Sequence, residues 1–197
     1  MDNETLIARL ADDINGTFEA LVLAHQNRLY TIALRLLGDP RDAEEVAQDA
    51  LVRAYRALQT YEPPRIRDLR LRPWLAAIVV NLARNKRRRR ADRVALIDLA
   101  SLADAGAEPA ADRSVQPDAG ALRRSTAERW AGHLLGLPPV YRAPVILRHV
   151  DGMSVEEVCE ALGRPEGTVK SQVHRGLAML RAALEAEMPA EREEMTA

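Results

Sequence analysis

The sequence predicts an all-α protein of two small helical domains joined by a flexible linker. Three observations carry that expectation. Of 197 residues, 47% are hydrophobic but only seven are aromatic, so Ala, Leu and Val supply the core, whereas a sheet protein draws more on Tyr, Phe, Ile and Thr. Apolar residues recur at helical spacing through residues 13–90 and again through 122–187. Between them, residues 91–121 lose that period and are dominated by Ala, Asp, Gly and Pro, the composition of a mildly acidic linker.

In chain order, the first helix is expected from Phe18 to Leu37. Phe18, Leu21, Val22, Leu29, Ile32, Ala33 and Leu36 share its inner face, and Gly38-Asp39-Pro40 stops it. The second, capped near Asp42, turns Ala43, Val46, Ala47, Ala50, Leu51, Ala54, Tyr55 and Leu58 inward. Its opposite face carries Glu44, Glu45, Gln48, Asp49, Arg53 and Arg56. Residues 59–72 break on Pro63-Pro64 and read as an exposed basic loop. Pro73 suits the first position of a third helix, which runs through Trp74, Leu75, Ile78, Val79 and Leu82 into the basic run 84–90. After the linker come a helix over 122–135, a break at Leu137-Pro138-Pro139, and a helix over 141–150 ended by Asp151-Gly152. Ser154-Val155-Glu156-Glu157 has the form of a capping box opening a short helix to Leu162. Gly163-Arg164-Pro165 turns the chain into a last helix over about 166–187.

The formal charge of −1, from 28 basic and 29 acidic residues, hides a segregation. Residues 65–93 hold eleven basic and two acidic side chains, net +9, between flanks that are all net acidic. Screening confines each patch to about 10 Å at 0.1 M salt, so the near-neutral total does not weaken a local polyanion site. Twenty-six of the 28 cations are Arg, which makes bidentate contacts to phosphate and guanine.

Other classes are disfavoured. A single cysteine, Cys159, leaves no disulfide framework or multi-cysteine metal site. No apolar run is long enough to span a bilayer, and the acidic start is unlike a signal peptide, so a cytoplasmic protein without membrane insertion is expected. No Gly-rich phosphate loop, Ser/His/Asp set or paired carboxylates stand out, so neither catalysis nor a metal or cofactor is expected. His25, His133 and His149 read as structural or solvated, Cys159 as a buried small hydrophobe, and Trp74, Trp130, Tyr141 and Tyr61 as packing.

Residues 153–180 have the layout of a helix-turn-helix. Val155, Val158, Ala161 and Leu162 face inward on its first helix. On its second, Val169, Val173, Leu177 and Leu180 make the expected buried stripe. Lys170, Ser171, His174, Arg175 and Ala178 then point outward, positive and hydrogen-bonding at the end that enters a major groove. Thr168 and the free N–H groups beside it suit a phosphate. An ordinary helical hairpin with a solvated face remains the alternative for this segment alone.

The chain resembles the extracytoplasmic-function (ECF) group of bacterial RNA polymerase sigma factors. LPPVYRAPVILRHVDGMSVEEVCEALGRPEGTVKSQVHRGLAMLRAAL is similar to the family's region 4, and FEALVLAHQNRLYTIALRLLGDPRDAEEVAQDALVRAYRAL to regions 2.1 and 2.2. PWLAAIVVNLARNKRRRR is similar to the helix of regions 2.3 and 2.4. The resemblance implies an initiation specificity factor, not an enzyme, partnered by core RNA polymerase (clamp helices and flap), promoter DNA and, in many members, an anti-sigma factor. It assigns Glu45, Gln48, Asp49 and Arg53 to polymerase docking. It assigns Asn81 and Asn85 to reading the −10 element and holding melted bases, with Arg84, Lys86, Arg87 and Arg88 on adjacent phosphates. Thr168, Lys170, Ser171, His174 and Arg175 match the −35 side. Residues 59–72 depart from the family's usual shorter, Gly- or Ser-containing loop, carrying Pro63-Pro64 and Arg65, Arg67, Arg70 and Arg72 instead. From the residues alone, a stand-alone helix-turn-helix regulator and a purely protein-binding adaptor remain the rival readings.

Overall fold

The structure, a computed structural model, describes residues 2–101 and 121–194, and among these no strand occurs. Five helices form the N-terminal unit: α1 (Asn3–Asp12), α2 (Ile14–Leu37), α3 (Pro40–Leu58), α4 (Pro63–Arg67) and α5 (Leu71–Ser101). The C-terminal unit has α6 (Ala121–Gly136), α7 (Pro139–Val145) with a π-helical turn Ile146–Val150, α8 (Val155–Leu162) and α9 (Glu166–Glu194).

In the N-terminal unit α2, α3 and α5 pack on one another around Leu21, Leu29, Ile32, Val46, Ala50, Leu75 and Val79, all nearly inaccessible to solvent. The unit begins earlier than residue 13. The first residues form α1, whose Leu6, Leu10 and Ala11 are buried against α2 and α4, and whose start is capped by Asp2 accepting from Thr5 N–H at 2.7 Å. Asp39, not Asp42, caps α3: its carboxylate accepts from Asp42 N–H at 2.9 Å and Pro40 takes the first turn. Gly38 ends α2 at φ 80°, a left-handed conformation that glycine adopts freely.

The loop expected over 59–72 contains α4, held by Ile66 at 1% exposure. Arg65 lies 3.7 Å over the Tyr61 ring and Arg67 meets Asp12 at 2.8 Å, while Arg70 and Arg72 reach Glu160 and Asp151 of the C-terminal unit, so all four of its arginines are engaged. Trp74 is half-buried beside Tyr61, as the packing reading expected. Helix α5 opens at Leu71 rather than Pro73, and it continues through 91–101, where a linker was expected. The rest of the expected linker, 102–120, lies outside the described residues.

In the C-terminal unit Pro144 sits inside α7 and cannot donate to the Val140 carbonyl. Arg164 Nη1 donates to that carbonyl instead, at 3.3 Å, and the turn after the proline widens into the π form. The capping box forms as expected. Glu157 N–H donates to Ser154 Oγ at 3.1 Å and Ser154 N–H to Glu157 Oε2 at 2.8 Å.

The stripe of α9 differs from expectation. Val169 and Leu180 are buried and Val173 half-buried, but Leu177 is 38% exposed, and Gly176 takes the inward place. A Cβ at Gly176 would lie 2.6 Å from Val145 Cγ2 and 3.3 Å from Tyr141 Cβ, so α7 and α9 cross where only hydrogen fits. Val145 is itself 1% exposed and has nowhere to move. Gly176→Leu is therefore expected to destabilise this unit by about 1–3 kcal/mol in urea unfolding, despite the gain in helix propensity. A variant as stable as the parent would contradict the crossing. Trp130 also differs, being 46% exposed with its ring edge-on to His133 rather than packed in the core.

The two units pack on each other, α5 against α8 and α2 against both α6 and the π turn. No helix of the described residues is long and apolar enough to cross a membrane.

Candidate nucleic-acid and protein interfaces

Three polar surfaces stand out. The first is the outer face of α3, where Glu45, Gln48, Asp49 and Arg53 are all exposed. Val52, 46% exposed, lies in the same face one turn after Gln48, an apolar member that the charge pattern concealed. Gln48 Nε2 donates to Glu44 Oε1 at 3.3 Å, which holds the amide along the helix.

The second surface is on α5. Asn81, Arg84, Asn85 and Arg88 are exposed at helical spacings of three, one and three, hence on one side. Arg87 is half-buried. Arg84, Arg87 and Arg88 have no acidic partner among the described residues, and together they line a groove of about 280 Å³ that they share with Pro139, Arg142 and Ala143 of α7. Lys86 does not join them. It turns to α3, with Nζ 3.0 Å from Asp42 Oδ1 and 2.5 Å from Glu45 Oε2. Burial works against its charge, but the hydrogen bonds to Glu45 and Asp42 outweigh that and raise its pKa above the usual lysine value. A residue assigned to DNA thus pairs with one assigned to the polymerase.

The third surface is the start of α9, where Thr168, Lys170, Ser171, His174 and Arg175 are all exposed. Ser171 Oγ donates to Thr168 O at 2.9 Å. Lys170 Nζ meets Glu166 at 2.5 Å, and each partner favours the charged form of the other: the Glu166 carboxyl is shifted down and the Lys170 ammonium up. Both are exposed, so this pair is easily exchanged for another anion. Cys159 is half-buried on α8 against the core, and burial raises its thiol pKa.

The Sigma-70 region 2 family model matches residues 21–93, and the Sigma-70 region 4 model matches 134–180. The RNA polymerase sigma-E factor of Streptomyces coelicolor is 37% identical over 169 residues, covering 85% of both chains. The chain belongs to the ECF RNA polymerase sigma factors. The ECF sigma factor SigE of Mycolicibacterium smegmatis is 35% identical over 168 residues, and this chain spans 60% of that longer protein. Among solved structures, CnrH in complex with the cytosolic domain of CnrY matches with a TM-score of 0.68 at 26% identity, over 93% of this chain and 97% of that one. The sigma factor RpoE of Bartonella quintana, solved with the anti-sigma factor NepR, matches with a TM-score of 0.64 at 25% identity, over 85% and 96%.

In this sigma factor the acid-rich face of α3 and the asparagine face of α5 lie in region 2, and the third surface, on α9, lies in region 4. Sequence reasoning missed a fourth set of polar residues that joins the two regions: Arg28, Arg72 and Asp151, with Arg142 reaching back from α7. Arg28 and Asp151 are 123 residues apart, and no local pattern marks either.

Proposed function

We propose that this chain binds core RNA polymerase and directs it to promoters by engaging a −35 and a −10 element and stabilising the melted strand. The observation that carries the reading is the presence of both sigma regions in one chain, with the polar faces of α3, α5 and α9 all presented to solvent. Glu45, Gln48, Asp49 and Arg53 form an acid-rich surface suited to a basic groove on the polymerase clamp, and region 4 meets the flap. Asn81 and Asn85 present amides that can pair bidentately with base edges, while Arg84, Arg87 and Arg88 hold phosphates. Lys86 joins them once Glu45 is engaged elsewhere. Thr168, Lys170, Ser171, His174 and Arg175 enter the major groove at the −35 element. The chain acts as an initiation factor in the cytoplasm, the polymerase supplying the chemistry. CnrH and the Bartonella RpoE were solved with CnrY and the anti-sigma factor NepR, and a partner of that kind is proposed here also.

Run-off transcription with core enzyme on a promoter library tests the reading. Promoter-dependent transcripts and co-purification with core enzyme are expected. A protein that binds DNA alone and neither co-purifies nor initiates would be a stand-alone regulator. Arg175→Ala is expected to relax selectivity at one −35 position, at about 1–3 kcal/mol of discrimination. Uniform weakening across all −35 variants would instead make Arg175 a phosphate contact.

A further inference from the structure

We propose that this sigma factor holds itself closed. The acidic edge of region 4, Asp151 with Glu157 and Glu160, docks on the basic edge of region 2 and is released before both promoter elements are engaged. The inference rests on the promoter-recognition reading above.

The clasp centres on Asp151, just past the π turn. Its side chain is 4% exposed. Arg28 Nε donates to its Oδ1 at 2.5 Å while Arg28 Nη2 holds Oδ2, a two-pronged guanidinium–carboxylate pair. Arg72 Nη2 donates to the Asp151 backbone carbonyl at 3.1 Å, and its guanidinium lies 3.9 Å from Asp151 Oδ2 and from Glu157 Oε1. Arg70 meets Glu160 at 3.1 Å. Arg142 reaches the other way. This region 4 side chain is 5% exposed, and its Nη1 donates at 3.2 Å to Leu36 O in the last turn of α2, where unpaired carbonyls favour a cation. Its remaining bonds go to the carbonyls of Leu135 and Leu137. The apolar approach is equally close: Leu135 Cδ1 leaves no room for a Cβ at Gly38.

Two consequences make the clasp inhibitory. The first is size. The promoter elements take their names from positions about 25 base pairs apart, on the order of 80 Å along B-DNA. A compact chain of this length has a radius of gyration of about 16 Å and is roughly 40 Å across. DNA is stiff over about 150 base pairs and will not fold back to meet it. The closed molecule therefore cannot read both elements together. The second is competition. Arg70 and Arg72 belong to the +9 strip, so the carboxylates of α8 sit where phosphates would otherwise be held.

The docking face is left free. Helix α3 packs on α2 and α5, and its Glu45, Gln48, Asp49 and Arg53 are exposed in the closed form. The polymerase can thus engage region 2 first, and any surface that also binds region 4 elsewhere draws the equilibrium open.

Small-angle scattering on the free protein, paired with fluorescence anisotropy on a promoter duplex without polymerase, tests the proposal. The parent is expected to be compact. Asp151→Asn, which keeps shape and removes charge, is expected to expand the molecule and tighten DNA binding about tenfold, as when an open form of one molecule in ten becomes dominant. Arg28→Glu is expected to expand it likewise, and Arg28→Glu combined with Asp151→Arg to restore compactness, which a misfolded chain would not do. A parent that is already extended, an Asp151→Asn variant as compact as the parent, or expansion without tighter DNA binding would each overturn the inference. Run-off transcription keeps the two readings apart: if neither protein initiates with core enzyme, the promoter reading fails whatever the scattering shows.

Discussion

Replacing Asn81 and Asn85 together with alanine is expected to lower open-complex formation on a cognate promoter by on the order of 30- to 100-fold, at about 1 kcal/mol or slightly more per amide. Affinity for core polymerase should change by less than about twofold, or about 0.4 kcal/mol. The separation follows from where the two residues sit. Both are exposed on α5, and neither side chain makes a hydrogen bond within the protein among the described residues. Their loss therefore removes nothing from the fold, and alanine is the better helix former. Permanganate footprinting of the melted region measures opening, and co-purification with core enzyme measures docking. Unchanged opening would remove both asparagines from the −10 assignment, while an equal fall in docking would make α5 part of the polymerase interface instead.

The structure also shows which kinds of feature a linear reading recovers. The capping box at Ser154, the glycine stop at Gly38 and the amphipathic face of α3 are local, set by residues within one or two turns, and all were legible. Helix α1 was missed because Leu6, Leu10 and Ala11 give an apolar face only ten residues long, bounded by Asp2 and by Asp12 and Asp13. Leu177 was placed inward because a glycine carries no hydropathy. The pattern passes over Gly176, yet its missing side chain is what lets α7 approach. Lys86 read as one more cation in a basic run, and only the packing of α3 on α5 shows that it faces Asp42 and Glu45. The Arg28–Asp151 pair lies furthest beyond a sequence pattern. It depends on how two separately legible helical units meet, and no periodicity encodes that.

His25 carries the second large expected effect, a loss of stability in mild acid. It lies on α2 at 5% exposure, with neither ring nitrogen meeting a hydrogen-bond partner among the described residues. Burial pushes its pKa from 6.5 down to about 4, and the charges of Arg28 and Arg72 push the same way, while Asp151 opposes them. The folded state thus holds the proton less tightly than the unfolded chain. The stabilising contribution is complete above about pH 6.5, the unfolded value, and is lost as the pH falls towards 4. The full span is about 3 kcal/mol, with about 2 kcal/mol already lost at pH 5. Urea unfolding at pH 7.5 and pH 5 of the parent and of His25→Leu measures it, since carboxylates titrating in both proteins cancel in the difference. The variant should be at least as stable at pH 7.5, because two unpaired buried nitrogens are gone, and should lose about 2 kcal/mol less on acidification. Parallel pH profiles would mean that His25 reaches water in the folded state. A protonated His25 also adds a third cation beside Arg28 and Arg72 with Asp151 as the shared anion, so the same acid range should loosen the contact between regions 2 and 4. Scattering at pH 5 is then expected to show expansion of the parent that His25→Leu lacks.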